Sequence, residues 1–240
     1  MFNKMFMKKV TVGLIACGAS LFSALSQGAV IAIADFDAQV ELGVSSTFLS
    51  SEFTTELCCN DVSVYGSASG DASGSGDADP LSLAAGEFGE LSASANGEVT
   101  GLHSVVESFW ATSAYLFIDN TTNSDITGDV KFDITWSASI FTGGLHSEAF
   151  SGAYLYIDNS YGDIIFDDYI EFDSLWDGPG AFGATQMFNV NLRDVIIDAG
   201  DFEEYYIEIA AYGFAAVPEP SGVFLAGLAL LFAVRKRKMS

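Results

Sequence analysis

Between Val30 and Tyr212 apolar and polar positions alternate in short runs. Val30-Ile31-Ala32-Ile33-Ala34, Gln39-Val40-Glu41-Leu42-Gly43-Val44 and Asp61-Val62-Ser63-Val64-Tyr65 set apolar residues against small or polar ones at every second place. That period of two marks strands buried on one face only. Later runs are longer and more aromatic: Ala114 to Asp119, Val130 to Trp136, and Tyr205 to Tyr212. Asp-Asn, Gly-Asp and Asn-Ser pairs separate them and supply turns. No internal stretch keeps a 3.6-residue period with caps. The pattern predicts an all-β body, an antiparallel β-sandwich spanning residues 27–216.

Two features interrupt or organise that body. Residues 66–79 use only Gly, Ser, Ala and Asp. A tract of this composition buries little and is expected to be a flexible loop within one domain. A repeat runs through the middle. Gly101-Leu102-His103-Ser104 recurs as Gly144-Leu145-His146-Ser147, and Ala114-Tyr115-Leu116-Phe117-Ile118-Asp119-Asn120 recurs as Ala153-Tyr154-Leu155-Tyr156-Ile157-Asp158-Asn159. Phe132-Asp133 with Trp136 recurs as Phe172-Asp173 with Trp176. Each unit reads as a hairpin, with Trp136 and Trp176 facing the interior on equivalent strands.

The two ends follow other rules. Lys4, Lys8 and Lys9 precede an apolar run from Val10 to Phe22 and a small-residue stretch from Ser23 to Ala29. This is the form of a Sec signal peptide over residues 1–26, a substrate for the Sec translocon and signal peptidase. Ala24, Ser26 and Gly28 define the cleavage region, after Ser26 or Gly28. Thirteen apolar residues fall short of the roughly twenty that span a bilayer. Leu14-Ile15-Ala16-Cys17 resembles a lipobox, but the chain stays apolar after Cys17 and a second cleavage region follows.

At the other end, Val217-Pro218-Glu219-Pro220-Ser221 is followed by an apolar stretch, residues 222–234, and by Arg235-Lys236-Arg237-Lys238. The prolines hold a stiff extended spacer and keep a helix from growing backwards. The apolar stretch predicts a short transmembrane helix, and the basic cluster keeps its end cytoplasmic. Residues 217–238 closely resemble the PEP-CTERM sorting signal of Gram-negative bacteria, which has also been labelled the C-terminal domain of ice-binding proteins. The resemblance implies recognition of Pro218, Glu219 and Pro220 by an exosortase, a membrane-embedded cysteine protease, with Arg235 to Lys238 as the stop signal. It also implies transient anchoring in the inner membrane, then release to the cell surface or extracellular matrix, with exopolysaccharide as a partner. No regular threonine array supports ice binding.

Charge narrows the possible chemistry. The chain carries 32 acidic and 9 basic residues, and only Lys131 and Arg193 of the basic ones lie between residues 27 and 216. All the acidic residues except Glu219 lie there as well, so the body's formal charge is −29. Such a field repels nucleic acid and anionic lipid and attracts cations. Its aromatic content separates it from disordered acidic tails.

Candidate ligands and catalysts are sparse. Calcium favours clustered carboxylates. Asp71, Asp77 and Asp79 in the Gly-Ser tract are candidates for it, as are Asp158, Asp163, Asp167 and Asp168. Otherwise no cofactor is expected. Cys58 and Cys59 are adjacent and read as buried or loosely oxidised thiols. His103 and His146 sit at equivalent repeat positions, and no Gly-x-Ser-x-Gly elbow accompanies them. Carboxylate pairs such as Asp167-Asp168, Glu171, Asp173 and Glu203-Glu204 read as a solvated strand face. The body is expected to be non-enzymatic. The alternative is a secreted carbohydrate-binding module or carbohydrate-active enzyme presenting Trp110, Trp136 or Trp176 on one exposed platform.

Overall fold

The structure, a computed structural model, describes residues 33–77, 81–144 and 147–217. The signal peptide, Cys17, Asp79, His146, Pro218 to Ser221, the helix 222–234 and Arg235 to Lys238 lie outside the described residues. Among the described residues no helix is long and apolar enough to cross a membrane.

The described chain forms eleven strands: β1 (Ile33–Ser46), β2 (Ser51–Tyr65), β3 (Ala68–Gly76), β4 (Leu81–Leu83), β5 (Phe88–Val99), β6 (Ser104–Asp119), β7 (Ile126–Gly143), β8 (Glu148–Asn159), β9 (Ile164–Asp173), β10 (Ala181–Ile197) and β11 (Phe202–Val217). They make two antiparallel sheets. The first has the order β10-β7-β1-β5-β3 and the second β4-β2-β6-β11-β8-β9. Alternation drives the packing. Phe36, Val40, Leu42 and Val44 of β1 and Phe132, Ile134 and Trp136 of β7 point inward from the first sheet. Leu116 and Ile118 of β6, Leu155 and Ile157 of β8, and Tyr205, Ile207 and Ile209 of β11 meet them from the second. Trp136 is fully buried, its ring 5.2 Å from Phe188 and 5.8 Å from Phe166.

The Gly-Ser tract is mostly a strand, not a flexible loop. β3 runs antiparallel to β5 in register from Ala68↔Val99 to Gly76↔Leu91. Its own alternation is of small residues. Ala68, Gly70, Ala72, Gly74 and Gly76 turn inward, and Ser69, Asp71, Ser73 and Ser75 turn outward. Small residues are required because the second sheet presses close. A Cβ on Gly74 would fall on the Trp110 ring and within 2.7 Å of the Ser92 carbonyl oxygen. A strand with no bulky side chain to bury gives no hydrophobic signal, although its ladder is complete.

The repeat holds for its second block and fails for its third. β6 and β8 both flank β11, and Leu116/Leu155 and Ile118/Ile157 occupy matching buried positions. β7 then crosses to the first sheet, whereas β9 returns beside β8 in the second. Only the latter pair is a hairpin. Asp173 ends β9 and caps a one-turn helix, Ser174–Asp177, with its carboxylate accepting from the Leu175 N–H at 2.8 Å. Trp176 on that turn is 87% exposed. The expectation that Trp136 and Trp176 share an interior position is therefore wrong, because a capping Asp turns the chain off the sheet before Trp176.

Two smaller expectations also change. Asp61 to Tyr65 is a strand but is exposed throughout. β4 pairs only with Ser51–Phe53, so the far half of β2 has a neighbour on one side alone. Of the two readings of Cys58 and Cys59, burial fails and oxidation holds: they are bonded to each other and exposed at a register shift of β2.

Candidate functional site

Every charged side chain in the strands of the second sheet is acidic. The same strands carry most of the outward-facing aromatic rings. Alternation dictates this placement. In β11 the odd positions Tyr205, Ile207 and Ile209 go inward, so Glu204, Tyr206, Glu208 and Tyr212 go outward. β6 contributes Tyr115 and Phe117, and β8 contributes Phe150, Tyr154, Tyr156 and Asp158. The register aligns them, with Tyr206 directly opposite Tyr115 on one side and Asp158 on the other.

At the centre of this face the Tyr115 and Tyr206 rings are 5.3 Å apart, and Tyr156 lies 6.4 Å from Tyr206. Phe117 stacks on Phe202 at 5.1 Å and Phe150 on Tyr212 at 5.6 Å. The phenols of Tyr156 and Tyr206 donate to Asp158 at 2.9 Å and Glu208 at 3.1 Å. Burial pushes the Tyr206 phenol up to about 12, with Glu208 adding charge repulsion and an accepted hydrogen bond. Burial raises Tyr115 as well, followed by the charges of Glu56, Glu204 and Asp158. Burial is the main cause of both shifts, and the surrounding carboxylates add to it. These two bonds commit the phenolic protons of Tyr156 and Tyr206, so that part of the face offers acceptors and ring surfaces.

The expected tryptophan platform is absent. Trp136 is in the core, Trp176 is on the one-turn helix, and Trp110 points between the sheets with its Nε1 buried and unpartnered. Tyrosines form the exposed aromatic surface instead. Inward and outward sets differ by one residue, so a one-residue error in strand register hides such a face from sequence reading.

The first sheet turns a different surface outward. Ser73, Ser94, Gln39, Ser137 and Thr185 align in one row across β3, β5, β1, β7 and β10. Ser73 and Ser94 share a hydrogen bond of 2.8 Å, as do Ser75 and Ser92. Glu41, Glu90 and Asp133 surround a shallow depression over Gly43, and Asp133 pairs with Lys131. Burial raises the Asp35 carboxyl, helped by Glu98 and Asp37.

The calcium candidates are dispersed. Asp71 faces outward on β3, and Asp77 beyond its end accepts from the Glu90 N–H at 2.7 Å. Asp158 accepts from Tyr156, Asp168 from the Tyr169 N–H, and Asp167 faces Tyr156 across β8 and β9. The Asp163 N–H donates to the Asn159 side chain. Among the described residues no group of three or more His, Cys, Asp or Glu is placed to hold a metal ion. His103 sits in a turn with φ of 59°, its N–H donating to the Val217 carbonyl at 2.8 Å.

Val217, the last residue of β11, is buried and paired with Ser104, so the strand is pinned where the Pro-Glu-Pro segment begins. The PEP-CTERM protein-sorting motif matches residues 216–238. The chain carries a PEP-CTERM sorting motif. Its match starts within the final strand, on Ala216 and Val217. The PEP-CTERM motif implies export, membrane-associated sorting and processing by an exosortase.

No curated protein matches the chain. Among solved structures, a Bacteroides fragilis protein assigned as a β-galactosidase shares 13% identity at a TM-score of 0.16, over 66% of this chain and 25% of that one. A β-glucuronidase from glycoside hydrolase family 2 shares 8% at 0.15, over 66% and 19%. The coconut allergen cocosin shares 6% at 0.10, over 76% and 74%. This chain thus spans a quarter or less of the first two proteins.

Proposed function

We propose that this PEP-CTERM protein is a non-enzymatic component of the cell surface or exopolysaccharide matrix of a Gram-negative bacterium. In this reading the Sec pathway exports it through residues 1–26, and the helix 222–234 holds it in the inner membrane. An exosortase then releases it at Pro218 to Ser221. The observation that carries the reading is the sorting motif directly behind a central, fully paired strand. Proteolysis beyond Val217 would remove the tail without breaking any ladder pair of β11. Most strand carboxylates stand on the two open sheet faces, which suits a structural or binding role. Glu203, expected on a solvated face, is instead buried because it takes an inward position of β11, and burial raises its carboxyl. A carbohydrate-binding module remains the second reading. The tyrosine face of the second sheet favours it.

The test is fractionation in a host carrying an exosortase. Changing Pro218, Glu219 and Pro220 together to Ala should leave export intact and block release. The protein should then accumulate in the membrane fraction with Arg235 to Lys238 attached, as read by mass spectrometry. Unchanged release would defeat the proposal. The same spectra should show a mature start between Gln27 and Val30, where a lipidated Cys17 would contradict Sec cleavage.

A further inference from the structure

Water alone does not require tyrosines on an outer sheet face, and the serine-rich face of the first sheet shows the same fold managing without them. Tyr115, Tyr206 and Tyr156 lie on three adjacent strands, β6, β11 and β8. At about 4.8 Å per strand step they form a band about 10 Å wide. Glu56, Glu204, Glu208, Asp158 and Asp167 border it, and the sheet contains no Lys, Arg or His in any strand. The protons of the Tyr156 and Tyr206 phenols are already committed to Asp158 and Glu208. A complementary ligand must bring donors and positive charge, and it must lie flat on ring faces. Carboxylates attract a cation over distance, and the negative faces of the rings hold it at contact.

From this charge complementarity we infer that the outer face of β6, β11 and β8 binds a polysaccharide bearing free amino groups. Ammonium groups would sit between ring faces and carboxylates, and pyranose rings would stack on Tyr115 and Tyr206. A second copy of the chain does not fit, because two such faces repel. The face is the middle of a sheet, flanked by β2 and β9, so it has no free backbone edge on which an extended basic peptide could add as a strand. The inference gives the matrix reading its ligand and rests on that reading for biological setting. Its test needs only purified protein, so a failure here and a failure of sorting appear in separate experiments.

The purified full chain is titrated calorimetrically with a glucosamine oligomer, the fully N-acetylated oligomer of equal length, and oligolysine of equal charge. Binding of the glucosamine oligomer is expected, with the acetylated oligomer and oligolysine each weaker by about tenfold or more, the scale of one lost cation–ring contact. Tyr206→Ala should lose about tenfold, and Tyr206→Phe, which keeps the ring, should retain binding. Glu204→Gln with Glu208→Gln keeps shape and removes charge, and should weaken binding even if the alanine variant folds poorly. Ser94→Ala on the other face should change nothing. Equal binding of the acetylated oligomer would overturn the need for charge. Equal binding of oligolysine would overturn the choice of a sugar. Indifference to both the Tyr206 and the Glu204/Glu208 substitutions would overturn the site.

Discussion

The two outer faces of this sandwich see the same solvent but are built from different side chains. On the first sheet the middle rows are mostly Ser, Thr, Gln and Asn with Asp37, Asp71 and Glu41 among them, and hydroxyls bond to hydroxyls across strands, as in Ser73–Ser94 and Ser75–Ser92. On the second sheet the middle rows are Tyr and Phe set among Glu and Asp, and phenols bond to carboxylates. Both solutions satisfy polar groups. Only the second leaves contiguous ring surface half-exposed, a feature that marks contact surfaces on exported and soluble domains alike. The difference separates the scaffold from the surface it displays. The inner layer is common to both sheets, the first face presents hydroxyls and carboxylates without clustered tyrosines, and the second presents carboxylates among clustered tyrosine rings.

The largest effect should come from the layer that both faces share. Trp136→Ala should cost about 3–5 kcal/mol, because a fully buried ring is replaced by a cavity. Trp176→Ala should stay within about 0.5 kcal/mol, as an exposed substitution. Urea denaturation measures both. Equal losses would restore the interior equivalence of the repeat that the capping Asp173 breaks.

Next in size is the edge of the serine face. Gly74→Ala puts a Cβ against Trp110 and the Ser92 carbonyl, and should cost about 1–3 kcal/mol as overpacking. Ser73→Ala on the outward side of the same strand should cost less than about 0.5 kcal/mol. If both were neutral in a thermal melt, β3 would be behaving as the loop its composition suggests. The serine face would then lose its outermost row.

A smaller effect distinguishes the faces directly. Tyr206→Ser removes a cross-strand ring pair and should cost about 0.2–1 kcal/mol, where Ser94→Ala should be close to neutral. A neutral Tyr206→Ser would mean that the ring pair contributes nothing to folding, leaving ligand contact as its role.

The smallest effect appears only in alkali. Tyr206 has a folded value near 12 against an ordinary value of 10, so the folded state holds this proton longer than the unfolded state. Its contribution is complete below pH 10 and is lost as pH rises through about 12. Tyr206→Phe should flatten the fall of stability across that window, as measured by denaturation at stepped pH. An unchanged slope would mean that neither burial nor Glu208 holds the Tyr206 proton in the folded state.

The sorting motif was legible in full, since a Pro-Glu-Pro segment before an apolar stretch and a basic cluster is local chemistry in consecutive residues. The strands of the core were legible for the same reason. Alternation in β1, β7 and β11 is written along the chain, and burial follows from it. β3 was missed because strand signals are measured by what a strand buries, and glycine buries almost nothing. Trp176 was misplaced because two similar phrases can lie on differently connected strands, and Asp173 acts as a cap only where β9 ends.

By itself the sequence determined an acidic, antiparallel all-β body and the sorting motif behind it, because each rests on neighbours in the chain. Only the tertiary structure decided which residues share a face. Tyr115, Tyr156 and Tyr206 come from three strands separated by tens of residues, and only the order β6-β11-β8 makes them neighbours. Strand order depends on long-range pairing and on which sheet each strand joins. β7 and β9, which follow the two copies of the repeated strand, join opposite sheets. That choice turns on packing summed over the whole core, so no local pattern records it.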